Sequence, residues 1–368
     1  MKKNQLIAGL VMLTALVALV AYAQHKYQIT WPKFLDSWQK FLHQFQQAEW
    51  GKIAVALACI YVCYIIRSMR WALLLRHNKK VGLFTLLGTQ VIGFAAIALF
   101  GRVAEPVRPY LVAKKTSLTF SSQVAVYLVE RLLDAGSMAL IFSSVILLTA
   151  WFGQAGALPH VEVMKKVSYG ALTTTLAGAI FLVAVRLAGG VMASFFERGF
   201  SVVSTGLGRA IGEKIRAFRS GLNTLRTPAD FAIAMAVSLS MWGLIAVAYL
   251  EITTAFVASP QLAGMTLAKC MVLMASSLAV SGFQLPVIGL FTQIGVVEEA
   301  MRNFFGVAPE AATACAATLL AVGFLGIAPV GLIWAQFEHV SLSKVAKESG
   351  EAKDALAVDE AAGQNAAS

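Results

Sequence analysis

Apolar residues fall in long blocks along this chain, without the short alternations of a sheet. Leu6–Ala23, Gly82–Phe100, Ala135–Trp151, Val167–Val185, Phe231–Leu250 and Ala311–Trp334 contain no charged residue. Each is close to the roughly 20 residues that cross the hydrocarbon core of a bilayer as an α-helix. The pattern predicts an all-α, polytopic integral membrane protein. Between the first two blocks lies a polar stretch, Gln24–Glu49. In it Trp31, Phe34, Leu35, Trp38, Phe41, Leu42 and Phe45 recur at helical spacing among Lys33, Lys40 and glutamines, the signature of an interfacial amphipathic helix. The first block follows two lysines and ends Ala21-Tyr22-Ala23, so it also resembles a signal peptide. Its length favours an uncleaved span with the lysines inside.

Basic residues orient the blocks. The apolar run Ile53–Ile66 ends in Arg67, Arg70, Arg76, Lys79 and Lys80, which places that end in the cytoplasm by the positive-inside rule. Arg67, Arg70 and Trp71 read there as an interfacial stripe whose long side chains snorkel to the headgroups. Gly82–Phe100 is again followed by basic residues (Arg102, Arg108, Lys114, Lys115), so both ends of the 80–120 region face the same side. A re-entrant hairpin that turns at Gly101–Pro109, where Gly101, Pro106 and Pro109 interrupt helical hydrogen bonding, reconciles the two. Irregular backbone at membrane depth is tolerated only where it lines a cavity.

Val124–Trp151 then runs outward and Val167–Val185 returns to a basic segment holding Arg186, Arg198, Arg209, Lys214, Arg216, Arg219 and Arg226. Its Val191–Phe218 portion is amphipathic and suits either an in-plane helix or a solvated connector. After Phe231–Leu250, the apolar stretch Leu262–Val307 is interrupted by Lys269, Pro286, Gly289 and Glu298 and reads as a second hairpin. Ala311–Trp334 is the last span, and residues 337–368 form a polar, Ala/Glu/Lys-rich tail expected to be disordered and cytoplasmic. The expectation is therefore about six full spans plus two re-entrant hairpins within residues 1–336. The halves, about 5–151 and 165–335, repeat one order of elements in opposite orientation, as in inverted-repeat transporters. Eight simple spans are the alternative.

Composition sharpens this picture without changing it. With 58% hydrophobic and 13% charged residues, a water-soluble globule is excluded. The net charge of +11 records which loops face the cytoplasm and does not call for nucleic acid. Cys59, Cys63, Cys270 and Cys315 all sit in apolar stretches without a CxxC pair, so neither a disulfide scaffold nor a metal site is indicated. No nucleophile motif, P-loop, HExxH or dinucleotide fingerprint occurs, and no cofactor is expected.

Charges inside apolar segments cost about 2.5–3.5 kcal/mol each on insertion scales and usually carry function. Arg102, Glu105 and Arg108 sit at the first hairpin tip, and Tyr127, Glu130, Arg131 and Asp134 share one helix face. Arg131 is expected to pair with Asp134 or Tyr127, leaving Glu130 to meet Arg102 or Arg108. Arginine forks match phosphate oxygens, so the two groups together form either an anion site for a lipid phosphate or a structural ion-pair network. Lys269 and Glu298 are the second half's charges at comparable depth.

Three segments carry a family resemblance: Arg67-Ser68-Met69-Arg70-Trp71-Ala72-Leu73-Leu74-Leu75-Arg76, then Gly101-Arg102-x-x-Glu105-x-x-Arg108-Pro109-Tyr110-Leu111, then Glu130-Arg131-Leu132-Leu133-Asp134. In order and spacing they resemble the motifs of the lysylphosphatidylglycerol synthase transmembrane-domain family, flippase-like proteins of bacteria and archaea. The chain departs from that pattern at Phe100 and Ala104, where the family has Pro and Gly. It keeps only Gly295-Val296-Val297-Glu298 of a longer Gly-rich element, with Pro286 displaced.

A polar tail of this length holds no aminoacyl-transferase domain, so the resemblance implies the membrane half alone. That half implies movement of an anionic or polyprenyl-phosphate-linked lipid between leaflets of a bacterial inner membrane, with both termini cytoplasmic. A membrane subunit of a lipid-modifying or envelope-synthesis complex is the alternative, and envelope lipid-synthesis proteins are the partners it implies besides the lipid.

Overall fold

The computed structural model describes residues 31–77, 79–152, 161–201, 206, 227–281 and 288–352. The first expected span, the 152–159 loop beyond Phe152, most of the 191–218 segment, Pro286 and the end of the tail lie outside the described residues. Among the described residues the structure is helical throughout, with no strand. In chain order the helices are α1 (Trp31–Gln46), α2 (Trp50–Leu75), α3 (Leu83–Phe100), α4 (Val107–Thr116), α5 (Phe120–Trp151), α6 (Val161–Ser201), α7 (Pro228–Ala255), α8 (Pro260–Ala263), α9 (Leu267–Ser281), α10 (Ile288–Phe305), α11 (Pro309–Leu320), α12 (Ile327–Phe337) and α13 (342–352). A 3₁₀ turn, Gly101–Ala104, joins α3 to α4, and a π turn, Ala321–Leu325, joins α11 to α12.

Five of these stretches are long and apolar enough to cross a membrane: Trp50–Leu75, Leu83–Ala104, Phe120–Trp151, Pro228–Ala255 and Pro309–Phe337. Lipid gives no hydrophobic reward for helix association, so close backbone approach through small residues has to supply the packing. The α3–α12 contact shows this. A Cβ on Gly331 would strike Ala95 Cβ and the Val91 carbonyl, and one on Gly88 would strike Trp334. Helices α2 and α7 meet through Ala56, Ala248, Ile252 and Ala255, all buried.

Polar pins fix the ends of that helix pair. Thr227 and Asp230 form a reciprocal capping box at the start of α7, with Pro228 in its first turn. Asp230 also pairs with Arg76 and His77, just past the end of α2. At the opposite end, Glu49 N donates to the Ala255 carbonyl (2.9 Å) and Lys52 Nζ to the Thr254 carbonyl (3.2 Å).

Three sequence expectations need correction. Helix α2 does not stop at Ile66; it continues to Leu75, which carries Arg67 and Arg70 inside a helix packed on both sides. Nothing in Arg67–Leu75 breaks a helix, and partners elsewhere in the fold compensate the charges. Helix α6 runs unbroken to Ser201, through the point where an in-plane helix or a solvated connector was expected to begin; it holds no proline, and a glycine costs only about 1 kcal/mol in a helix. The tail is not disordered from residue 337 onward. Helix α13 lays Leu342 and Val345 into the cluster around Ile97, Val107 and Leu111, so two apolar residues suffice where a long stripe was sought.

Candidate functional site

The site is built where α2, α3, α4, α5 and α7 converge. Gly101 ends α3 with φ +73°, a conformation that favours glycine, and the 3₁₀ turn and Pro106 then redirect the chain into α4. Pro109 sits in the first turn of α4, where a missing backbone N–H is harmless. The redirected helix lies so close to α3 that a Cβ on Gly93 would collide with Arg108 Cγ and sit 3.3 Å from Arg108 Cα. Glycine at 93 is therefore the condition for Arg108 to enter the interior.

Inside, two carboxylates from adjacent turns of α5 meet four guanidiniums. Arg70 donates from Nη2 to Glu130 Oε1 (2.7 Å) and from Nη1 to Asp134 Oδ1 (2.6 Å) and Ser238 Oγ (2.7 Å). Arg108 Nη2 donates to both Glu130 oxygens (3.0 and 2.9 Å), while its Nε and Nη2 donate to Gln90 Oε1 (2.9 and 2.6 Å). Trp242 Nε1 donates to Asp134 Oδ1 at 3.3 Å. The Arg108 guanidinium is ringed by Phe94, Trp71 and Tyr127, with centroids at 4.4, 5.2 and 5.6 Å.

Two further arginines approach the same carboxylates. Arg131 Nη2 lies 3.0 Å from Asp134 Oδ2 and 3.4 Å from Glu130 Oε1, with its guanidinium 5.1 Å from the Tyr127 ring. Arg67 Nη1 lies 3.7 Å from Glu130 Oε1 and 4.0 Å from Asp134 Oδ2, and its guanidinium is 4.8 Å from Phe94. Chemically the arrangement is a cationic cluster with aromatic flanks, of the kind that can hold an anion by charge and by planar donor forks.

The structure brings together Arg108, Tyr127, Glu130, Arg131 and Asp134 of the expected set. Glu130 meets Arg108, and Arg131 meets Asp134. Arg102 and Glu105 pair with each other at 3.2 Å on the part-exposed rim of the helix break, outside the hydrogen-bonded cluster. Lys269 and Glu298 are not joined: Lys269 stands over the Phe305 ring at 5.9 Å, and Glu298 pairs with Arg302 at 3.4 Å.

Sequence reasoning placed Arg67, Arg70 and Trp71 at the lipid interface, and this is a correction. Arg70 and Trp71 are each 1% exposed, at the centre of the network. A signal was available for Arg67 and Trp71 alone, which share one helix face with Tyr64. Gln90, Ser238 and Trp242 were also missed; a lone Gln, Ser or Trp in an apolar block gives no signal until its partner is known.

A multi-pass helical membrane protein with a charged network gathered between its helices is the class this geometry defines. The chain belongs to the family described as the lysylphosphatidylglycerol synthase TM region, whose model matches residues 6–333. No curated protein and no solved structure matches it.

Proposed function

We propose that this protein carries a phosphate-bearing lipid headgroup between the two leaflets of a bacterial cytoplasmic membrane. The observation that carries the reading is the buried cluster, in which four guanidiniums face two carboxylates inside an apolar helical bundle. Glu130 and Asp134 balance the buried Arg70 and Arg108, so the part-buried Arg67 and Arg131 leave an excess of positive charge that an anion would complete, and a lipid phosphate is the anion a membrane supplies. Support also comes from the family, whose description names the membrane region of an enzyme that acts on a phospholipid.

In this reading the α3–α4 break is the tip of a re-entrant hairpin and the α9–α10 pair is its counterpart in an inverted repeat. Transport exposes the cluster alternately to the two sides, with the termini cytoplasmic and Arg102 and Glu105 at the mouth. The test is a reconstituted one. Vesicles containing the purified protein and an acyl-labelled fluorescent phosphatidylglycerol or phosphatidic acid are treated with dithionite. Protection of inner-leaflet label should be lost with the protein and kept with Glu130→Gln; label equally protected in protein-containing and empty vesicles would sink the proposal.

A further inference from the structure

The four arginines form two tiers. Arg70 and Arg108 are each 1% exposed and hydrogen-bonded to the carboxylates at 2.6–3.0 Å, and together with Glu130 and Asp134 they sum to zero charge. Arg67 and Arg131 approach the same two carboxylates at 3.0–4.0 Å, with contacts that do not meet hydrogen-bond geometry. The Nε atoms of both, and Nη2 of Arg131, are buried without a hydrogen-bond partner. Arg70 Nε is also unpartnered, but that side chain is otherwise engaged at three bonds. The outer tier is also the accessible one, with side-chain exposures of 39% for Arg131 and 11% for Arg67.

The outer tier therefore adds two positive charges to a neutral frame, and the neighbouring Arg102–Glu105 pair adds none. A phosphodiester headgroup brings one negative charge and leaves one of the two outer cations uncompensated. A phosphomonoester brings about −1.5 to −2 at neutral pH, with three strong acceptor oxygens for two guanidinium forks. We propose that Arg67 and Arg131 together bind a dianionic phosphomonoester, while Arg70 and Arg108 hold the frame. This narrows the headgroup reading above and rests on it only for the statement that a lipid presents the phosphate.

The test uses the purified full chain in detergent and three probes: dioleoyl phosphatidic acid, dioleoyl phosphatidylglycerol and inorganic phosphate. Affinity is followed by native mass spectrometry for the lipids and by calorimetry for the free anion. Phosphatidic acid should bind about tenfold or more tightly than phosphatidylglycerol, the ratio that about 1.4 kcal/mol represents.

Arg67→Gln and Arg131→Gln should each erase that preference, Arg67→Lys should keep part of it, and Arg302→Gln, a charge removal in α10, should leave it intact. Equal binding of the two lipids by the unmodified chain would overturn the dianion assignment while leaving the lipid reading in place. That comparison needs no variant to fold. Preference persisting in monodisperse Arg67→Gln and Arg131→Gln would overturn the residue assignment. Binding of inorganic phosphate without either lipid would keep the phosphate site and sink the lipid reading, and binding of none of the three sinks both.

Discussion

Two helix pairs, α3–α4 and α9–α10, both double back within apolar sequence, yet they are held by different forces. The first is bound by charge: Arg108 reaches from α4 across Gly93 to Gln90 on α3 and Glu130 on α5. The second is packed by Ala268, Met271, Val272 and Met274 against Met138, Phe142 and Ile146, with Gln293 donating to Ser277 Oγ at 2.7 Å between its helices. Its ionic residues pair locally near the surface, as Arg302 does with Glu298 and Glu299. Similar helical outlines thus do not carry similar chemistry. The guanidinium–carboxylate cluster gathers beside the first pair, which gives it Arg108 and Gln90 while α2 and α5 give the other charges, and none of it lies on the second.

The largest expected effect removes the centre of that chemistry. Glu130→Gln leaves Arg108, 1% exposed, without its carboxylate and Arg70 with Asp134 alone, and breaking a buried pair costs about 3–5 kcal/mol. The matched change in the second pair, Glu298→Gln, removes a part-exposed contact worth about 0–1 kcal/mol. Thermal unfolding of both variants in one detergent should show a large drop for the first and almost none for the second. Equal midpoints would erase the contrast between the pairs.

Much of this architecture was legible in the chain itself. Apolar blocks translate into helices because a bilayer leaves backbone groups no other way to be satisfied, and α7 and the α11–α12 stack fall where such blocks lie. The 127/130/131/134 face was legible because helical periodicity is local. Arg70 was not: an arginine at the end of an apolar run, next to other basic residues, has the same local pattern whether it snorkels or turns inward. Its carboxylate partners stand 60 and 64 positions away, and nothing short of the tertiary contact separates the cases. The docked start of the tail was hidden for a similar reason, since Leu342 and Val345 gain meaning only from the α4 surface they meet.

Backbone proximity offers a second, smaller way to break the comparison. Gly93→Ala forces a methyl group into Arg108, including its backbone, and overpacking of this kind costs about 1–3 kcal/mol. A methyl group on Gly295 in α10 would meet nothing within 4 Å, so Gly295→Ala should be neutral or gain up to about 1 kcal/mol from helix propensity. Melting temperatures of the two variants should move in opposite directions or differ clearly in size. A harmless Gly93→Ala would mean that α4 is free to ride outward and that Arg108 does not depend on close approach.

Within the second pair, Ser277→Ala takes away the acceptor of the Gln293 bond. A neutral hydrogen bond contributes about 0.5–1.5 kcal/mol net, so unfolding should be shifted by less than Gly93→Ala shifts it. A loss as large as that of Glu130→Gln would show that the second pair also depends on a polar pin, and the distinction between the two would fall.

The smallest effect concerns the tail on the first pair. Glu348 on α13 accepts from Tyr110 Oη (2.9 Å) on α4 and from Lys114 Nζ (3.4 Å), and Lys115 pairs with Glu338 just beyond α12. The Tyr110 hydrogen bond, helped by Lys114 and Lys344, holds the Glu348 carboxyl below its ordinary value. A depressed folded value means that the contact stabilises docking above the unfolded carboxylate's range and is lost as pH falls through the lower, folded value. Hydrogen exchange of residues 342–352, corrected for intrinsic rates, should therefore show protection at pH 7 that fades only in acid, below the ordinary 4.5. Tyr110→Phe removes the leading cause of the shift, so the fading should begin at higher pH. Glu348→Gln should weaken protection at neutral pH and abolish its response to acid. Protection that fades at the same pH in the unmodified chain and in Tyr110→Phe would show that the tyrosine is a bystander to the docking of α13.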